Sequence, residues 1–308
     1  MGVFSLIRKV FKKPVPRMMI EFEPHFYAHG IEFTLDEATF NGVVNQTFPS
    51  PQYVLLKMLE EAGEATPIER GFRLSSEQVA ALDADHATLL SLPPSFTGGF
   101  LTAVSGVTTQ PSFNVTISAS LSGEEIPIRE RTGAILILSA TEKFRLTPAE
   151  LAAFTALDLH QSKFGKAAEN DNLTLIGQLQ RAKEQGMTID LQHFESFKVS
   201  SESRVGVVAN QNDDGSLSLR PSLGANLDQD ALEKRWGQLD LSKDSGVMRV
   251  DKTIVLLDEE RFAAVGHLFE NQHIPKEDVT TFIETPSAFL DADLVDLELG
   301  FSIRVKGI

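Results

Sequence analysis

Cysteine is absent from this 308-residue chain, and with it go disulfides, zinc–thiolate centres and a thiol nucleophile. A reducing cytoplasm suits such a composition. No apolar run approaches the ~20 residues that span a bilayer; the longest, AILIL at 134–138, is strand-sized. The basic start is not read as a signal peptide, because charged residues interrupt its apolar segment. Leu6 stands where a myristoylation pattern needs Ser or Thr, and no membrane insertion is expected. Internal repeats and low-complexity tracts are lacking as well. Two chemical signatures are missing: the phosphate cradle G-x-x-x-x-G-K-[ST] and the G-x-S-x-G elbow of serine hydrolases. Positive charge is scarce, with 28 Lys and Arg against 43 Asp and Glu, for a net −15.

That scarcity is uneven. Residues 1–19 hold Arg8, Lys9, Lys12, Lys13 and Arg17 and no acid, so +5 sits at the start and −20 on everything after it. A body this acidic is poorly suited to wrapping nucleic acid over its general surface, although a local basic site is compatible with it. Phe4, Ile7, Val10 and Phe11 fall at helical spacing among those cations, making a basic amphipathic helix that Pro14 and Pro16 end. Such a helix suits a membrane surface, a partner groove or a phosphate backbone. It can equally pack on its own domain with a solvated basic face.

A hydrophobic content of 42% with 8% aromatic is that of a globular protein, and 308 residues exceed the usual single core. The stretch 113–146 organises the chain. Phe113, Val115, Ile117, Ala119 and Leu121 alternate with polar residues, the period of a half-buried strand. Ser122-Gly123-Glu124-Glu125 supplies a turn, Ile126 and Ile128 resume the alternation, 134–138 reads as a buried strand and 143–146 as another. Thr147, Pro148 and Glu150 then spell a capping box. An antiparallel meander followed by a helix is expected there.

Around it, strands at 18–23 and 31–35 flank a turn at 24–30. Helices start at Pro51, at Ser75 (with Gln78, running through Val79, Leu82 and Leu89) and at Leu173, the last ending at Gly186. The polar stretch 161–172 reads as a boundary. Strands follow near 187–191, 194–199 and 205–209, and Asn212-Asp213-Asp214-Gly215 marks a hairpin. A short helix carries Trp236, strands cover 247–250 and 253–257, Asp258 caps a helix to about Asn271, and another helix spans 275–284. The expected fold is α+β: mainly antiparallel sheets with packed helices. It comprises a basic helix over 1–19 and two modest domains, 20–162 around the meander and 173–308.

Several constellations imitate active sites. Residues 254–259, IVLLDE, look like the strand of a nucleotide-hydrolysing site that holds magnesium. That chemistry needs the phosphate cradle, and the nearest fragment, Gly165-Lys166, has His160 where the first glycine belongs and Ala167 after the lysine. Asp258 and Glu259 therefore read as the acidic start of a helix. His25 and His29, with Glu21 and Glu23, have a metal spacing only on a helix, and Pro24 and Gly30 argue for a turn. Asp83, Asp85 and His86 read as a solvated helix face, as do Asp158 and His160. Asp190, Glu195 and Lys198 miss a nuclease spacing by one residue. No catalytic residue, metal ligand or cofactor is assigned to this chain. Arg129 and Arg131, near Lys143 and Arg145, make a small basic stripe if they share a face, suited to phosphate or an acidic partner. The competing reading pairs them with Glu124, Glu125, Glu130 or Glu142.

The segments LLSLPPSF (89–96), PSFNVTI (111–117), RTGAILIL (131–138), FRLTPAE (144–150), DDGSLSLRPSL (213–223) and TPSAFLDADLVDLELGFSIRVKGI (285–308) together resemble the N-terminal region of large bacterial helicase-like proteins with a Swi/Snf-type motor. Such proteins occur in anti-phage defence systems, the Zorya helicase component among them. The resemblance covers roughly the last two-thirds of the chain and includes no catalytic signature. It implies a non-catalytic regulatory region that precedes an ATP-driven motor, expected after Ile308, where ATP and magnesium would bind. It implies docking of double-stranded DNA, of the motor itself or of other defence-system subunits, or restraint of the motor until activation. Arg8, Lys9, Lys12, Lys13, Arg17, Arg129 and Arg131 are the candidate contacts. The alternative is a free-standing acidic protein that inhibits a nucleic-acid enzyme by charge mimicry.

Overall fold

The computed structural model of the chain describes residues 22–35, 39, 50–194, 196–200, 205–222, 227, 229–237, 246–290 and 295–299. The fold is α+β, with mainly antiparallel sheets. The basic helix expected over 1–19, with Arg8, Lys9, Lys12, Lys13 and Arg17, and the last residues of the resembling segment, 300–308, lie outside the described residues.

Strand β1 (Glu23–Tyr27) turns at Ala28-His29 into β2 (Gly30–Thr34). The turn expected over 24–30 is thus only two residues long. Pro24 is accommodated because β1 is the edge of its sheet, where a missing N–H costs least. Helix α1 (Pro51–Glu61) begins with Ser50 Oγ accepting from the Tyr53 N–H at 3.2 Å and Pro51 in the first position. Strands β3 (Thr66–Ile68) and β4 (Gly71–Ser75) complete a four-stranded sheet ordered β1-β2-β4-β3. A Cβ on Gly30 would lie 2.0 Å from the Leu74 carbonyl oxygen, and one on Gly71 1.8 Å from that of Phe33. Both ends of the β2–β4 ladder therefore require glycine.

Ser75 opens α2 (Ser76–Ala81) with a full capping box to Gln78. The single helix expected through Leu89 is two: Leu82 leaves helical geometry at ψ 138°, and Asp83 caps α3 (Ala84–Leu89). Strands β5 (Gly99–Ser105) and β6 (Asn114–Leu121) then pair antiparallel over seven residues. Ser122 and Gly123, at φ 52° and 85°, turn β6 into β7 (Glu124–Ile126). Strands β8 (Glu130–Thr132), β9 (Ile135–Ile137) and β10 (Lys143–Arg145) form a separate sheet, β10-β9-β8. The meander expected over 113–146 is therefore divided between two sheets. Alternation fixes which face of β6 is apolar, but not that β5 is its longer partner.

Helix α4 (Pro148–Ser162) carries the expected capping box: the Thr147 N–H donates to Glu150 Oε2 at 2.8 Å and the Glu150 N–H to Thr147 Oγ1 at 3.4 Å. Helix α5 (Glu169–Glu184) follows, and β11 (Ile189–Asp190) joins β5 in parallel, giving the order β11-β5-β6-β7. Beyond β12 (Lys198–Ser200), strands β13 (Val205–Gln211) and β14 (Leu217–Ser222) make the expected hairpin, closed by Asn212 N to Ser216 O at 2.9 Å with Gly215 at φ 88°. The chain continues through α6 (Gln229–Trp236), β15 (Val247–Val250), β16 (Thr253–Leu256), α7 (Glu259–Glu270), β17 (His273–Ile274), α8 (Val279–Glu284) and β18 (Val295–Leu299). Two further sheets result, β12-β16-β15 and β17-β14-β13-β18, in which β12 and β18 are the parallel members.

Two compact units emerge, Met1–Gly98 with Ile126–Leu151, and Gly99–Glu125 with Ala152–Ile308. Neither is one continuous stretch of chain. In the first, Phe22, Tyr53 and Phe72 form an aromatic knot with centroids 5.9 to 6.3 Å apart, above fully buried Phe33, Leu56 and Leu74. Each such buried side chain contributes about 1.5–3 kcal/mol. In the second, Trp236 stacks on Phe269 at 4.9 Å and tilts against Phe262 at 5.2 Å, within a core that includes Val207, Leu217, Val265 and Phe282. Gly177 of α5 lets β16 come close: a Cβ there would lie 2.8 Å from Leu256 Cδ1.

Burial raises the Glu150 carboxyl above its ordinary value of 4.5, against the opposing bonds from Thr147. The folded chain therefore holds this proton more tightly than the unfolded one. Its contribution to stability is present below the ordinary value and is lost as pH rises through the raised folded value. Glu150→Gln keeps an acceptor for the Thr147 N–H but cannot ionise. Measured by denaturant midpoint, the variant should gain on the native chain as pH rises from about 4.5; a pH-independent difference between them would refute the assignment.

Candidate functional site

The cations 129–145 all lie in the first unit, and the strand register decides what each can do. Arg131 lies opposite Leu136, itself opposite Phe144, whereas Glu130 lies opposite Ile137, itself opposite Lys143. Residues directly opposite share a face. Arg131 and Lys143 thus lie on opposite faces of the sheet, so Lys143 does not extend the stripe expected of Arg129 and Arg131. Arg129 is exposed and its backbone N–H donates to the Ile137 carbonyl at 3.1 Å. The Arg131 guanidinium, half-buried, donates to the Gly133 carbonyl at 2.6 Å.

Arg145 is a structural residue. It is 2% exposed, and its Nη1 donates to the carbonyls of Val79 (3.0 Å), Ala80 (3.3 Å) and Leu82, while Nη2 donates to Ser95 Oγ at 3.1 Å. Those carbonyls end α2, so the guanidinium caps the negative end of a helix. Burial pushes its pKa down and the Asp83 carboxylate opposes that push. Sequence reasoning grouped Arg145 with the surface cations; its position between Phe144 and buried Leu146 was the available signal.

Cation and aromatic side chains also meet near the β1–β2 turn, on the two faces of β1: Phe26 shares its face with buried Ile31, and Tyr27 lies on the other. Lys143 Nζ stands 5.9 Å from the centre of the Phe26 ring, and on the adjoining turn Tyr27 and His29 stack at 5.4 Å with planes 14° apart. Tyr27 is 42% exposed, and His29 is exposed too. The end of β1 packs against Gly133 (φ 55°), between β8 and β9, where a Cβ would lie 2.5 Å from Ser76 Oγ and 3.0 Å from the Tyr27 carbonyl oxygen. The exposed pair is therefore mounted on rigid backbone. Sequence reasoning weighed His29 only as a metal ligand and missed its stacking with Tyr27.

The constellations that imitated active sites have other occupations. Asp258 caps α7, with Oδ1 accepting from the Arg261 N–H at 2.9 Å and Oδ2 bound by the Arg261 guanidinium. Asp83 Oδ1 caps α3 through the His86 N–H at 2.7 Å, and its Oδ2 lies 3.0 Å from His86 Nδ1. His25 lies opposite Glu32, whose carboxylate is bound by Arg73. Asp158 is exposed while His160 is 2% exposed, so the solvated face expected of both holds only Asp158. Asn172 donates to the carbonyls of Thr108 (2.8 Å) and Gln110 (3.1 Å), which leaves its oxygen to accept from His160 Nε2 at 2.7 Å. Asp190 accepts from the Gln192 N–H at 3.0 Å, and Glu195 lies outside the described residues. Among the described residues no group of three or more His, Asp or Glu is placed to hold a metal ion. No described helix is long and apolar enough to cross a membrane. No protein-family model matches the chain, and a search of curated proteins returns no match.

Arg145→Leu should cost on the order of 3 kcal/mol, because it strips donors from several buried carbonyls at once. Arg145→Lys, a point charge that cannot reach both the α2 carbonyls and Ser95, should recover only part of that. Urea unfolding of the full chain reads both; midpoints equal to the native one in either variant would show that the guanidinium bears no structural weight.

Proposed function

We propose that the chain is a non-catalytic regulatory and docking region of an ATP-dependent DNA translocase that acts against foreign DNA in the cytoplasm. The observation that supports this reading is the exposed Tyr27–His29 stack beside the β1–β2 turn, with Lys143 against Phe26 on the other face of β1 and Arg129 exposed just ahead of β8. Exposed aromatic faces can stack on unpaired bases and cations can meet phosphates, which suits a strand of double-stranded DNA that the motor has opened. The six resembling segments support the same reading. In it, the partners are double-stranded DNA, other defence subunits and a motor domain of the same polypeptide, and ATP and magnesium belong to that motor. Arg8, Lys9, Lys12, Lys13 and Arg17 supply a second run of phosphate contacts, and Arg131 positions the turn through Gly133.

A charge of −20 beyond residue 19 favours a second reading, in which the acidic body occupies a DNA path on a basic enzyme. Binding of the full chain to labelled double- and single-stranded DNA across a salt series separates the two. Docking predicts affinity that falls steeply with salt, by roughly 0.7–0.9 in log–log slope per phosphate contact. It also predicts a lower slope in Arg129→Glu/Lys143→Glu, and several-fold weaker single-strand binding in Tyr27→Ala. No binding at low salt sinks the docking reading and leaves charge mimicry.

A further inference from the structure

The second unit carries a groove of about 630 Å³, within the range of small-molecule sites. Its floor is Leu219 of β14 and Ile274 of β17, one wall is α7 and the other is formed by residues 288–290. The floor is firmly tied: the Leu219 N–H donates to the Gln272 carbonyl at 2.7 Å, and Leu217 lies opposite Ile274. Ala263 and Ala264 leave the middle of the α7 wall open, and Phe289 offers a ring across from them.

The polar groups at its ends define the chemistry. The Asn271 amide nitrogen donates to the His267 carbonyl at 3.0 Å. A carbonyl only accepts, so the amide orientation is fixed and Oδ1 is left as an acceptor. The same nitrogen lies 3.1 Å from His267 Nδ1, so Nδ1 accepts as well and the neutral ring carries its proton on Nε2. One end of the groove thus presents a donor and an acceptor on neighbouring side chains. Seven residues earlier on α7, about 10 Å away at 1.5 Å per residue, Glu260 supplies a carboxylate. His273 lines the groove, and none of the lining residues is Lys or Arg. Phosphates and carboxylates would meet Glu260 with no fixed cation to balance it.

We infer that this groove binds a phosphate-free aromatic aminoheterocycle, uncharged or cationic. The flat ring would lie between Phe289 and the alanines of α7. Its amino group would donate to Asn271 Oδ1, and a ring nitrogen would accept from His267 Nε2 on the other side of the Asn271–His267 contact. Glu260 takes the positive or hydroxyl-bearing end.

Ligand-observed NMR and calorimetry on the full chain test this with adenosine, cytidine and 4-aminoquinazoline as probes, and AMP as the anionic control. Saturable binding of at least one of the three is expected, with AMP at least tenfold weaker than adenosine if adenosine binds. Ala264→Trp, which fills the groove, should abolish binding while the circular dichroism spectrum and melting temperature stay unchanged. His267→Ala, at an exposed side chain, should weaken it about five- to tenfold. Failure of all three probes, AMP binding as tightly as adenosine, or undiminished binding in both variants overturns the proposal.

Discussion

The first unit depends on one buried charge. Arg145 holds residues 79–82 through its guanidinium and residues 94–96 through its backbone, its N–H donating to Pro94 at 2.8 Å and its carbonyl accepting from Phe96 at 2.9 Å. A charge taken from water has to be compensated by hydrogen bonds, and four of its neighbours accept from Nη1 and Nη2. Nε has no partner among the described residues. Without the guanidinium, the carbonyls that end α2 would be buried without those donors. Three stretches far apart in sequence are thereby fixed together, and the turn bearing Tyr27 and His29 rests on the same framework through Ser76 and Gly133.

Carboxylates explain why the chain looks catalytic when read as a string. Asp83, Glu150, Asp171 and Asp258 all stand at helix starts and all accept from backbone N–H groups there. Asp171 shows the energetics in miniature. Burial alone would raise its pKa, but the Lys163 ammonium and the Ala168 N–H overcome that and bring it below the ordinary value. A cap needs a short acid just before an apolar, periodic run, which is also how a metal-binding strand end appears in sequence. The two are distinguished only by where the second oxygen goes, and at Asp258 it goes to Arg261 of the same helix turn.

What could be read from the sequence follows the same division between local and distant. The capping boxes at Ser75 and Thr147, the hairpin at Gly215, the buried run at 134–138 and the strand–helix joint at Asp258 rest on residues within four or five positions of each other, and each was legible. Pairing was not. Nothing in the alternation of β6 points to β5, and nothing in a three-residue strand announces that Arg145 will reach across 66 positions to Val79. The Tyr27–His29 stack was within reach, since residues two apart beside a tight turn are neighbours. The groove beside α7 was not, because Leu219, Ala264 and Phe289 come from three elements that only the folded sheet order brings together.

The interleaving of the two units has a consequence for synthesis. As the chain leaves the ribosome, the first unit cannot close until Leu151 has emerged, because β8, β9, β10 and Arg145 all belong to it. By then β5 and β6 have been exposed for some time, still waiting for β11 and for most of α4, which arrive later. An antiparallel pair with one apolar face and no cover is prone to wrong pairing during that interval. The polar residues alternating along β6, Asn114, Thr116, Ser118 and Ser120, therefore serve a second purpose. They keep a nascent hairpin in solution until its partners exist, and a stop anywhere between residues 99 and 150 would leave neither unit whole.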